Sequence, residues 1–135
     1  MNIKIAVGAV TACMALLSPA MAAPETFSCV QQSRQMCEQG RGCKRLIDEA
    51  PNQWFFNIDT QKGQGTARRC SGDSCSPPFE MLVHGAGSTE VTAWEPLANE
   101  AFGFSRDRRQ FTHSLTGARG NGGHVVSEFG YCARE

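Results

Sequence analysis

Residues 109–132 read Arg-Gln-Phe-Thr-His-Ser-Leu-Thr-Gly-Ala-Arg-Gly-Asn-Gly-Gly-His-Val-Val-Ser-Glu-Phe-Gly-Tyr-Cys. Phe111, His113 and Leu115 alternate with Gln110, Thr112 and Ser114. Beyond a glycine-rich interruption, Val125, Ser127, Phe129 and Tyr131 alternate with Val126, Glu128 and Gly130. Successive side chains of a strand point to opposite sides, so a period of two is the mark of a strand with one buried face. Two such runs joined by Gly117 through Gly123 predict an antiparallel hairpin, with the first-named residue of each alternation facing inward.

The same period recurs upstream. Trp54, Phe56 and Ile58 alternate with Phe55, Asn57 and Asp59, and Phe102 and Phe104 with Ala101, Gly103 and Ser105. Turn-forming clusters stand between the runs: 39–42, 62–65, 76–78, 85–88, 95–96, 106–109 and 117–123. Strands are therefore expected near 26–36, 43–48, 53–59, 65–70, 79–84, 89–94, 100–105, 109–115 and 124–132. So long a meander must hide its edges. The expected fold is all-β: a small disulfide-stapled antiparallel meander forming a closed or partly open barrel, with a sandwich carrying one short N-terminal helix as the alternative. That helix would run from Ser28 to about Glu38, where Cys29, Ser33, Met36 and Cys37 also fit a helical face. A helical turn over Glu95–Ala101, with Pro96 at its first position, is a second local alternative.

Residues 1–22 read as a cleavable secretory leader. Met1-Asn2-Ile3-Lys4 is a basic start, Ile5 to Leu17 is apolar, and Ala20-Met21-Ala22 offers small residues for cleavage between Ala22 and Ala23. The apolar run falls well short of the roughly 20 residues of a membrane-spanning helix. Val10-Thr11-Ala12-Cys13 loosely resembles a lipidation box, but the apolar run continues past Cys13. Residues 23–135 then form a single disulfide-rich β domain, periplasmic or secreted. Removing the leader takes away Lys4 alone among the charged residues, so the mature chain lies within one charge of neutral. No field suited to nucleic acid or anionic lipid follows from that.

Cys29, Cys37, Cys43, Cys70, Cys75 and Cys132 remain, an even number for an oxidising compartment. Six cysteines allow about 15 pairings and spacing alone does not choose among them; Cys37 and Cys43 flank a turn-forming segment, as do Cys70 and Cys75, and the expectation that each pair closes locally would leave Cys29 with Cys132. Closing so long a loop is worth roughly 4–5 kcal/mol by chain entropy. The spacings do not form the paired C-x2-C sets of a structural zinc site.

Catalytic signals are weak. Gly72-Asp73-Ser74 resembles a serine-protease nucleophile segment, but Cys75 follows and the chain is about half the size such an enzyme needs. His84, His113 and His124 fall on three different strands, His113 on an apolar face and His84 beside Glu80 and Leu82. They are expected as core or surface residues without a metal. Gly117–Gly123 lacks the order of a phosphate loop and is expected as a hairpin loop. Arg68–Arg69 and Arg106, Arg108 and Arg109 read as solvated turn charge. No catalytic, metal or cofactor residues are assigned. Trp54, Trp94 and Arg119 are the candidate ligand or partner contacts, the tryptophans if either lines a barrel mouth. The expected function is a non-catalytic binding or inhibitor-like module acting on a partner protein. The alternative is a barrel holding a small apolar ligand, and a secreted enzyme ranks last.

Overall fold

The computed structural model describes residues 23–47, 50–85, 91–119 and 122–134. The expected leader, residues 1–22, lies outside the described residues. Among those described there are ten strands and no helix: β1 (Glu25–Glu38), β2 (Gly42–Leu46), β3 (Asn52–Asp59), β4 (Gln64–Ser71), β5 (Ser74–Cys75), β6 (Phe79–His84), β7 (Val91–Glu95), β8 (Glu100–Phe104), β9 (Gln110–Arg119) and β10 (Gly122–Arg134). All pairings are antiparallel. The order β1-β3-β4-β6-β7-β8-β9-β10 closes when β10 pairs back onto β1, giving an eight-stranded barrel that leaves no open edge around its body. Segment 28–38 is strand, so the helical alternative there falls: its hydrogen bonds run to β10, β3 and β2. The helical turn expected over Glu95–Ala101 is absent: Glu95 ends β7, Glu100 and Ala101 open β8, and only residues 96–99 form the turn between them, with the Glu95 carboxylate accepting the backbone N–H groups of Leu97 (3.0 Å) and Ala98.

The interior is filled. Trp54, Phe27, Phe56, Phe102, Phe104 and Phe111 are each at most 2% exposed and pack ring against ring, with Phe56 and Phe104 centroids 4.9 Å apart and Trp54 and Phe102 5.1 Å apart. Eight strands enclose just enough space for side chains of this bulk. The three disulfides are Cys29–Cys132, Cys37–Cys43 and Cys70–Cys75, as the spacing suggested. The first lies inside the barrel and ties β1 to β10 where the sheet closes.

One face was misread. On β10 the inward residues are Val126, Glu128, Gly130 and Cys132, while Val125 and Tyr131 are exposed and Ser127 and Phe129 half-buried. Cys132 decides the parity, because its bond to the fully buried Cys29 turns every second residue before it inward. Gly130 is needed in that row. A Cβ there would lie 2.1 Å from the Val30 carbonyl oxygen and 2.5 Å from a Phe111 ring carbon. Opposite it, Gln32 is an extra residue between the pairs Gln31–Gly130 and Ser33–Phe129. This β-bulge moves the inward face of β1 from Phe27, Cys29 and Gln31 to Arg34, Met36 and Glu38.

Beyond the bulge, β1 leaves β3 and pairs with β2 instead, while β9 and β10 run past the end of β8. The four strands form an arm continuous with one wall of the barrel. Cys37–Cys43 staples β1 to β2, and the Gln39 N–H donates to the Gly123 carbonyl at 3.1 Å, joining the β1–β2 turn to β10. Much of the expected 117–123 loop is strand: Gly117 pairs with His124 and Ala118 with Gly123. The opposite end of the barrel is closed by Arg108, which is not solvated as expected. It is 8% exposed with φ 57°, its guanidinium donates to the Ser105 and Arg106 carbonyls at 3.0 and 3.3 Å, and its Nε lies 3.2 Å from Glu25.

Candidate functional site

The arm end gathers inward polar side chains from most strands of the barrel. Glu128 of β10 sits at the centre, its side chain 1% exposed. Its Oε1 accepts from Asn52 Nδ2 at 2.8 Å and lies 3.3 Å from Arg34 Nε, and its Oε2 accepts from Trp54 Nε1 at 3.1 Å and lies 3.3 Å from His113 Nδ1. Asn52 is fixed in turn, since its backbone N–H donates to Gln31 Oε1 at 3.1 Å. A carboxylate buried without such partners costs several kcal/mol, so the donors are what allow it to remain ionised.

His113, 2% exposed, lies beside Glu128 on β9 and meets a second carboxylate across its ring, with Nε2 3.5 Å from Glu100 Oε2 of β8. Phe102 stacks on the imidazole at 4.6 Å and Trp54 lies 4.8 Å away at a tilt. Burial disfavours the imidazolium, but the carboxylates of Glu100 and Glu128 outweigh it and hold the His113 pKa above its ordinary 6.5. For Glu128, burial pushes the pKa up, while bonds from His113, Trp54 and Asn52 more than offset it and hold the carboxyl below its ordinary 4.5. Each ring nitrogen of His113 thus faces a carboxylate, Nδ1 that of Glu128 and Nε2 that of Glu100.

Its chemistry is limited by access. A substrate atom could reach neither His113 nitrogen without displacing Glu100 or Glu128. Among the described residues, no group of three or more His, Cys, Asp or Glu side chains is placed to hold a metal ion.

Over the same end, the inner face of the arm forms a groove of about 660 Å³ lined by Arg34, Met36, Leu46, Leu115, His124 and Val126. Arg34 belongs to both features, lining the groove and pairing with Glu128 beneath it. Arg41, Lys44 and Arg45 are exposed on the β1–β2 hairpin, and Arg41 lies 3.7 Å from Glu38.

The candidate contacts are scattered. Trp54 is core, its indole N–H held by Glu128. Trp94 is 46% exposed on the outer wall, opposite Leu82 at 48%, so it lines no mouth. Arg119 lies in β9 at the tip of the arm, and its side chain is outside the described residues. Asp73 is exposed in the turn bridged by Cys70–Cys75. Arg68 lies over the Phe55 ring at 5.0 Å and Arg69 over Trp54 at 5.7 Å. Sequence reasoning missed Arg34, Asn52, Glu100 and Glu128. Counting back in twos from a buried Cys132 would have turned Glu128 inward beside His113. Comparison with known proteins finds no matching family model, no matching curated protein and no matching solved structure.

Proposed function

We propose that the protein is a non-catalytic, inhibitor-like binding module that seats a partner protein on its arm. The observation carrying this reading is the arm itself: two strand hairpins prolonged past the barrel, stapled by Cys37–Cys43, with a half-apolar groove of about 660 Å³ on the inner face. A rigid β scaffold with pinned projecting segments is preorganised, so little ordering entropy opposes association. The exposed Arg41, Lys44 and Arg45 favour an acidic contact surface on the partner. A barrel interior packed with aromatic rings weighs against an apolar ligand held inside it.

The same proposal places the protein outside the cytoplasm, with residues 1–22 as the leader and Ala23 as the first mature residue. Three disulfides are compatible with an oxidising location. Among the described residues, no helix is long and apolar enough to cross a membrane.

The test is capture from extracellular or periplasmic extract by immobilised, disulfide-intact protein, run beside a Lys44→Glu/Arg45→Glu variant and at rising salt. One partner retained at 1:1 stoichiometry, lost with the variant and weakened by salt, is the expected result. Equal capture by the variant, or no partner at all, overturns the assignment to the arm.

A further inference from the structure

His113 is a buried titratable group that a binding reading does not use, and its surroundings make its proton state consequential. Three strands meet at the ring: Glu128 from β10 faces Nδ1, Glu100 from β8 faces Nε2, and His113 itself stands on β9. The other charged groups nearby are Arg34 of β1, on the far side of Glu128, and Arg69 of β4, over the Trp54 ring. Glu95 of β7 is occupied by the N–H groups of its own turn. With both nitrogens protonated, the ring carries a positive charge between two carboxylates, at ion-pair distances of 3.3 and 3.5 Å without a formed hydrogen bond to either. A neutral imidazole has one N–H and one lone pair, so one nitrogen must then face a carboxylate with lone pair against lone pair.

The two carboxylates are not equal. Glu128 keeps Asn52, Trp54 and Arg34 as partners and is 1% exposed, whereas Glu100 is 14% exposed and its Oε2 has no hydrogen bond beyond the ion pair with His113. Glu100, the more exposed and the less partnered of the two, is therefore the carboxylate that can turn to water. Glu100 follows directly on the β7–β8 turn and pairs with Leu115, which lines the groove; one residue on, the Thr116 N–H donates to the Asn99 carbonyl at 3.3 Å.

We propose that His113 is a proton-operated latch at the root of the arm: protonated, it clamps β8, β9 and β10 together through Glu100 and Glu128, and on losing its proton to solvent it releases Glu100 and loosens the β7–β8 turn from β9. The latch needs no partner, and only its consequence for binding, a groove held in shape while His113 is protonated and loosened once it is not, rests on the reading given above.

A pKa raised on folding gives stability that is complete below about pH 6.5 and is lost as pH rises through the folded value. The experiment uses the isolated mature protein with its disulfides intact. Imidazole nitrogen shifts are followed by NMR from pH 5 to 9, with melting temperature and amide exchange at 98–101 and 115–116, corrected for intrinsic rates, over the same range. The wild type is expected to show both His113 nitrogens protonated below pH 6.5, a midpoint above it, and a melting temperature and protection at those amides that fall together across that midpoint. Glu100→Gln removes one clamping charge, so it should lower the midpoint and flatten the fall. A His113 that stays singly protonated throughout, or a Glu100→Gln variant with an unchanged profile, overturns the latch. None of these results depends on whether a partner exists, so the latch and the binding reading fail separately.

Discussion

The two ends of the barrel are both closed by charged side chains, but by different means. At one end Arg108 folds back on its own turn, bonding carbonyls of residues 105 and 106, and meets Glu25, whose side chain is 36% exposed. At the arm end Glu128 is bonded by Asn52 and Trp54, residues 76 and 74 positions away, and all of its partners converge in the interior. The first is a local plug that water can partly replace. The second is a network formed only once the barrel closes, and removing Glu128 from its centre leaves buried donors of a distant strand without their acceptor.

This contrast orders the expected losses. Glu128→Ala should be the most damaging, costing about 3–5 kcal/mol in urea unfolding, because it takes the acceptor from the Asn52 amide and the Trp54 indole N–H and one of two carboxylates from the buried His113. Opening the arm's staple with Cys37→Ala/Cys43→Ala should cost roughly 2 kcal/mol by the chain-entropy relation for so short a loop, and should leave the barrel's near-ultraviolet signal intact. Arg108→Ala should cost only about 1 kcal/mol, since the Glu25 side chain left behind is 36% exposed and can turn to water, and the freed carbonyls lie in a turn with exposed residues. If Arg108→Ala proved as damaging as Glu128→Ala in the same titration, the distinction between a local plug and a distributed network would be gone.

Most of the barrel was legible in the sequence because the strands of its body bury bulky rings on one side only. Trp54, Phe56, Ile58, Phe102, Phe104 and Phe111 all face inward as their alternation implied. Alternation points the wrong way where hydropathy and geometry disagree. On β10 the more apolar row, Val125, Phe129 and Tyr131, faces outward, because the disulfide at Cys132 sets the parity and Gly130 must lie against the Val30 carbonyl. On β1 the Gln32 bulge shifts the phase by one residue, so no single alternation runs from Phe27 to Glu38. Arg108 was read as solvated because a basic cluster in a turn usually is, and nothing in its neighbours announces a left-handed residue folded inward.

The sequence by itself determined an all-β chain and most of the turns of its described body, since both depend on local periodicity and turn chemistry; it suggested the three disulfide pairs without fixing them. The tertiary structure alone decided the closing of β10 onto β1, the projection of the arm and the clamping of His113 between Glu100 and Glu128. Those depend on strand register across distant segments, where a shift of one residue turns every side chain to the other face.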